Sequence, residues 1–223
     1  MSEVLLYSAR ACPFAHRTRL VLTHKELDFE LTEIDLRNKP AWYGEVSLYG
    51  KVPALQHRGQ RIVESAIINE YVEEVWPQPP LLPAGAGERA RARILIDYAN
   101  TRFVPAFGAL LRARDPEGEA QAKKELLEAL AFLERNALPE GAPGPFFGGS
   151  APGLVDFAFY PWFERWPALD HYRNVPIPAE LRRLDAWVEA TSALPAARKT
   201  ANVPEFFVER YARFAGAPQA AAS

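Results

Sequence analysis

The chain has 223 residues, of which 48% are hydrophobic, and a formal net charge of -2. That is enough length and apolar material for one large core, or two smaller ones sharing an interface, and it excludes a disordered chain. The balanced charge, with no long basic run, excludes nucleic acid as an electrostatic partner, and no apolar run of about 18 residues is present to cross a membrane.

Val4-Leu5-Leu6-Tyr7 reads as a short buried strand. From Pro13 to Lys25 the pattern is helical, with a proline where the first turn tolerates one. Asp28 to Asp35 alternates apolar and polar residues and predicts a second strand, paired in parallel with the first. Leu36 to Tyr49 is irregular. Val52-Pro53-Ala54-Leu55 and Arg61-Ile62-Val63 predict a hairpin through His57-Arg58-Gly59-Gln60, and Ser65 reads as the cap of a helix reaching Val75. The proline- and glycine-rich segment from Trp76 to Gly87 divides the chain. Residues 1–83 are thus expected to form an α/β domain and 88–223 an all-helical one. In the second, Glu88 to Arg114 predicts a long helix kinked at Pro105, and Glu117 to Ala137 a helix with Leu126, Leu127, Leu130 and Leu133 at core spacing. Leu138 to Pro152 reads as a loop. Further helices are expected from about Leu154, over Ala179–Ser192 and over Pro204–Phe214, with a frayed tail from Ala215.

Cys12 is the only cysteine and sits at the junction of the first strand and first helix. A thiol there faces unpaired N–H groups and the positive end of the helix dipole, so an ionised thiol is expected, needing no separate base. Three residues on stands Ala15, so no second cysteine can resolve a mixed disulfide. An external thiol must reset it, and glutathione is the abundant cytosolic one. A lone cysteine and the absence of a secretory pattern after Met1 both fit a cytoplasmic setting. His16, one turn along, reads as a surface residue. No metal-ligand cluster is evident in the sequence.

The run from Cys12 to Leu22, with Leu36 to Trp42, Val52-Pro53, Glu64-Ser65-Ala66-Ile67 and Pro161-Trp162-Phe163-Glu164-Arg165, resembles the signature of omega-class glutathione transferases. The resemblance implies a thioredoxin-like N-terminal domain, a helical C-terminal domain and a homodimer. It also implies thiol transfer, dehydroascorbate reduction and deglutathionylation through Cys12. Glutathione would be the co-substrate, held by Phe14, Leu36, Lys39, Val52, Pro53 (cis in that fold), Glu64 and Ser65. A second, electrophilic or disulfide substrate would lie between the domains against Pro13, Trp42, Phe107, Trp166, Phe207 and Tyr211, with Phe206 as a further aromatic candidate. Gly153 departs from that class, which places a hydroxyl cap three residues before the aspartate, here Asp156.

Two other functions fit the same residues. One is a glutathione-dependent reductase or lyase of quinones or aryl ethers, using the same cysteine. The other is a non-catalytic regulator resembling the bacterial stringent starvation proteins, which bind RNA polymerase; these typically lack the cysteine.

Overall fold

The computed structural model describes residues 2–138, 141 and 143–216. Residues 139, 140 and 142 of the expected loop, and 217–223 of the expected tail, lie outside the described residues.

Four strands form one sheet: β1 (Val4–Ser8), β2 (Glu30–Glu33), β3 (Ala54–His57) and β4 (Gln60–Val63), in the order β2-β1-β3-β4. β1 runs parallel to β2 and antiparallel to β3, with Leu6 opposite Leu31 on one side and Leu55 on the other. The β3–β4 hairpin turns through Arg58 and Gly59, both at positive φ (48° and 78°), as a two-residue turn of matching twist requires. Helix α1 (Pro13–His24) crosses between β1 and β2, the short α2 (Tyr43–Val46) interrupts the stretch expected to be irregular, and α3 (Ser65–Val75) closes the unit. This is the expected α/β, thioredoxin-like arrangement.

One sequence expectation fails on α1. Every residue from Ala15 to Leu22 is buried, including His16, Arg17 and Arg19, and Lys25 is buried too. The cause is tertiary: α3, α7 (Leu154–Glu164) and α10 (Pro195–Thr200) all pack against the helix. Its cations therefore find internal partners. Lys25 Nζ donates to the carbonyls of Trp76 and Pro79 and pairs with Glu73 Oε2, each at 2.7 Å.

The helical part begins with α4 (Ala86–Tyr98), continues through a π-helical turn (Ala99–Phe103) and runs on as α5 (Val104–Arg112). The widened turn precedes Pro105, which has no N–H to donate, so the expected irregularity takes the form of a π-bulge. α6 (Pro116–Phe132), a second π turn (Leu133–Ala137), α7, α8 (Trp166–Arg173), α9 (Arg182–Ala193), α10 and α11 (Pro204–Ala215) follow. The short α8 and α10 escape the sequence patterns, since neither is long enough to show a period. No described helix is long and apolar enough to cross a membrane.

Gly153, the departure noted above, has a packing reason. Its missing side chain lets the Leu81 carbonyl approach and accept the N–H of Leu154 at 2.9 Å; an added β-carbon would lie 2.8 Å from that oxygen. The linker thus caps α7. Asp156 Oδ2 accepts the Gly153 N–H at 2.7 Å, while Oδ1 accepts from Trp187 Nε1 at 2.7 Å and the Phe147 N–H at 3.1 Å.

Candidate active site

Cys12 is the residue before α1, with extended backbone (φ -78°, ψ 120°) held by its N–H on the Ala9 carbonyl at 2.9 Å. Its side chain is half-buried, and the thiol donates toward the Val52 carbonyl at 3.8 Å. Burial pushes the Cys12 thiol up, while the N–H groups of Ala15 and Phe14 and the guanidiniums of Arg165 and Arg19 pull it down. Burial prevails. The expectation of an already ionised thiol is therefore not met, and a carbonyl acceptor 3.8 Å away adds to the preference for the S–H form.

Beneath Cys12 lies a buried polar cluster. His16 is fully buried, and burial lowers it to about 4, so it is neutral near pH 7. Its Nε2 meets Thr200 Oγ1 at 2.9 Å, and its Nδ1 lies 3.1 Å from Arg165 Nη1 and 3.2 Å from Glu164 Oε2. Thr200 gives its hydroxyl hydrogen to the Ala196 carbonyl at 2.8 Å, so Nε2–H donates to threonine and Nδ1 accepts from arginine. Arg165 also donates to the Pro161 carbonyl and lies 4.3 Å over the Phe207 ring. The cluster ties α1 to α7, α10 and α11.

Arg17 makes a second tie. Its Nε donates to the Ala158 carbonyl at 2.8 Å, Nη1 to Asn100 Oδ1 at 2.6 Å and weakly to Ser65 Oγ at 3.4 Å. The guanidinium stacks 4.5 Å over Trp162 and 5.2 Å from Phe14, whose ring meets Trp162 edge-on at 5.1 Å. Ser65 is thus the first residue of α3 and not its cap. The cap is Glu64, at φ 66°, a conformation that costs a non-glycine residue about 1 kcal/mol and is found where function over-determines the backbone. Among the described residues no side chain caps the first N–H groups of α3, which leaves them available to an anion.

Cys12 opens into a cleft of about 1110 Å³ between the sheet domain and the helices. Of the residues expected to hold glutathione, Phe14 and Leu36 line this cleft. Val52 and Pro53, joined by a cis peptide bond, are buried behind Cys12; Glu64 and Ser65 sit at the head of α3; Lys39 is exposed on the loop after β2. Of those expected around a second substrate, Pro13, Phe107 and Tyr211 line the cleft, with the Tyr211 hydroxyl pushed up to about 12 by burial. Trp42, Trp166 and Phe207 do not line it. Trp42 is exposed and packs 6.0 Å from Tyr7 and Tyr43; Trp166 is buried, with Nε1 on the Val175 carbonyl at 2.9 Å and its ring against Phe107; Phe207 is buried under Arg165. The aromatic character of Trp166 and Phe207 serves the core, where large rings are most often needed.

Sequence reasoning passed over Trp162, Arg17 and the arginines of the cleft. Trp162 lies inside the Pro161–Arg165 motif. The arginines gave no local signal, because Arg10, Arg37, Arg112, Arg210 and Arg213 come from four separate segments.

Two family models match the chain: the glutathione S-transferase N-terminal domain over residues 11–75 and the C-terminal domain over 89–190. The chain belongs to the glutathione S-transferase family. Glutathione S-transferase U19 of Arabidopsis thaliana is 34% identical over 213 residues, covering 93% of this chain and 94% of its own. Glutathione S-transferase omega-1 of Mus musculus is 31% identical over 198 residues, covering 87% and 79%. The solved tau-class enzyme from mango, Mangifera indica, superposes with a TM-score of 0.87 at 28% identity, covering 95% of this chain and 98% of that one. The omega resemblance therefore stands, and tau-class proteins share the fold as closely.

Proposed function

We propose that this glutathione transferase works by thiol transfer through Cys12, in the manner expected of the omega class. The observation that carries the reading is a lone thiol at a helix N-terminus, opening into a cleft large enough for a peptide-sized substrate, with Ala15 where a resolving cysteine would stand. After loss of its proton to solvent, Cys12 attacks the glutathionyl sulfur of a mixed disulfide. The new S–S bond forms as the old one breaks, and the departing thiolate takes up a proton. A second glutathione thiolate then attacks the bound glutathionyl sulfur, giving glutathione disulfide and free Cys12. Dehydroascorbate reduction takes its two electrons from Cys12 and one glutathione, which join as the mixed disulfide, and a second glutathione releases the enzyme as before. Phe14, Leu36, Lys39, Val52, Pro53, Glu64 and Ser65 are the proposed glutathione contacts, with the α3 N–H groups on its γ-glutamyl carboxylate. A homodimer is also proposed, with Leu48, Tyr49, Ile67 and Ile94 as apolar side chains left exposed on a single chain.

One observation favours a second reading. A thiol kept protonated by burial can donate a hydrogen bond to the thiolate of bound glutathione, which would then attack an electrophile itself and form a conjugate. Turnover of a glutathione mixed disulfide and of an aryl halide, compared in wild type and Cys12→Ser with intact-mass analysis, separates the two. Thiol transfer requires a glutathione adduct of the protein and its loss, with activity, in the serine variant. Aryl-halide conjugation that survives in Cys12→Ser, with no adduct in wild type, would establish the second reading instead.

A further inference from the structure

The chain carries a net charge of -2, yet the cleft beside Cys12 is lined by Arg10, Arg37, Arg112, Arg210 and Arg213 against two carboxylates, Glu33 and Asp35. Those carboxylates are engaged locally: Glu33 accepts the N–H of Arg10, and Asp35 that of Arg37 at 2.9 Å. Among the described residues none of the five guanidiniums has a side-chain ion pair. Aromatic faces hold three of them instead, and Arg10 Nε also donates to Asn202 Oδ1. Arg10 lies 4.5 Å over Phe206, Arg210 lies 5.5 Å from the same ring, and Arg213 lies 4.5 Å over Phe214. Stacking orients a guanidinium while leaving N–H groups at its edge free to grip a carboxylate.

Two further details indicate that the charges are concentrated. The Arg213 guanidinium is lowered by burial, and then by Arg37 and Arg210, so a like charge from each side of the cleft lies within range of Arg213. Gly108, one turn before Arg112 on α5, has no β-carbon; one placed there would lie 2.7 Å from Arg112 Nη2, so the glycine makes room for the guanidinium to fold back over the helix. Like charges gathered in a cleft without partners raise the local concentration of anions and are relieved by binding one.

We propose that the second substrate is anionic: a glutathione mixed disulfide whose other half carries carboxylates, seated on Arg112, Arg210 and Arg213. Val104, Leu111 and Phe107 take its hydrocarbon portion. The inference rests on the thiol-transfer reading and adds the chemical class of the group that leaves.

Two synthetic mixed disulfides test it, one of glutathione with 2-mercaptoethanol and one with mercaptosuccinate. They share the glutathionyl half, so any difference reports on the other half. The full-length protein should turn over the mercaptosuccinate compound with a kcat/KM about tenfold higher, the scale of one charge-assisted hydrogen bond. The preference should shrink toward unity at about 0.5 M salt, where screening acts within a few ångströms. Arg210→Gln/Arg213→Gln should bring the ratio close to one by lowering the charged substrate alone; Arg112→Gln supplies a second variant should that one fail to fold. Equal kcat/KM values in wild type, or arginine variants that depress both compounds equally, would overturn the proposal. Calorimetric titration of both disulfides into Cys12→Ser gives a reading independent of turnover. Charge-selective binding there without turnover in wild type would reject thiol transfer and retain the anion site. Binding of both with equal affinity would reject the anion site alone, and binding of neither would reject both.

Discussion

The wall of the cleft that carries Cys12 is built from backbone, whereas the facing wall, from α5 and α11, is built from side chains. On the first, a strand end, a helix start and the Val52 carbonyl place the thiol. On the second, Phe107, Tyr211 and a group of arginines present surface that the backbone does nothing to specify. The difference teaches where chemistry and selectivity reside. A backbone-made site tolerates sequence change while keeping its geometry; a side-chain-made one changes its ligand with a few substitutions.

The contrast is broken most sharply at the thiol. Cys12→Ser should lower disulfide exchange by about a thousandfold or more while leaving glutathione binding by calorimetry near its original strength. If exchange persisted at more than about a tenth of the wild-type rate, the first wall would not be the reactive one.

Next in size is the pH dependence of kcat/KM. Because burial holds the Cys12 thiol above its ordinary value, the thiolate fraction is small at neutral pH. The rate should then climb about tenfold per pH unit through the neutral and mildly alkaline range. The slope reports the thiol, so neutral and anionic substrates should share it. A plateau already reached at pH 7 would show that the helix N–H groups and Arg165 outweigh burial once substrate is present.

His16 sharpens the comparison from below the cleft, where the two walls join. The unfolded chain protonates this imidazole near 6.5, while the folded chain refuses the proton until about pH 4. Its contribution to stability is therefore complete above pH 6.5 and is lost as pH falls toward 4, by up to about 3 kcal/mol. Asp156 works in the opposite sense, since burial raises its carboxyl to about 6. The quantity to measure is accordingly the urea stability of wild type against His16→Gln at pH 7 and pH 4. The gap between them should narrow at the lower pH, and a gap independent of pH would contradict the buried neutral imidazole.

The smallest effect concerns the support of the second wall. Gly153→Ser supplies a hydroxyl that an isolated helix would favour as a cap, yet it should destabilise by about 1 kcal/mol because its β-carbon meets the Leu81 carbonyl. A rise in thermal midpoint would show that the linker yields to the side chain. Exchange activity per folded molecule should not change, since α7 contributes no reacting group.

The first wall was largely legible in the sequence. Cys12 before Pro13, and the alternation of strands with a helix, follow from periods and turn residues that act over a few positions. The strand-helix-strand unit and the hairpin duly appear with boundaries shifted by a residue or two. Short helices such as α8 and α10 were not legible, and neither was the burial of α1. Its arginines and histidine look like a solvent face until α3, α7 and α10 are packed against them.

What the sequence determined by itself is the identity and place of the nucleophile: a single cysteine at a helix start, without a partner to resolve it. Only the tertiary structure decided that this thiol is held protonated by its surroundings, that Trp166 and Phe207 serve the core, and that five arginines from four segments converge on one cleft. Local chemistry is written along the chain, whereas desolvation and charge density depend on which distant segments are brought within a few ångströms.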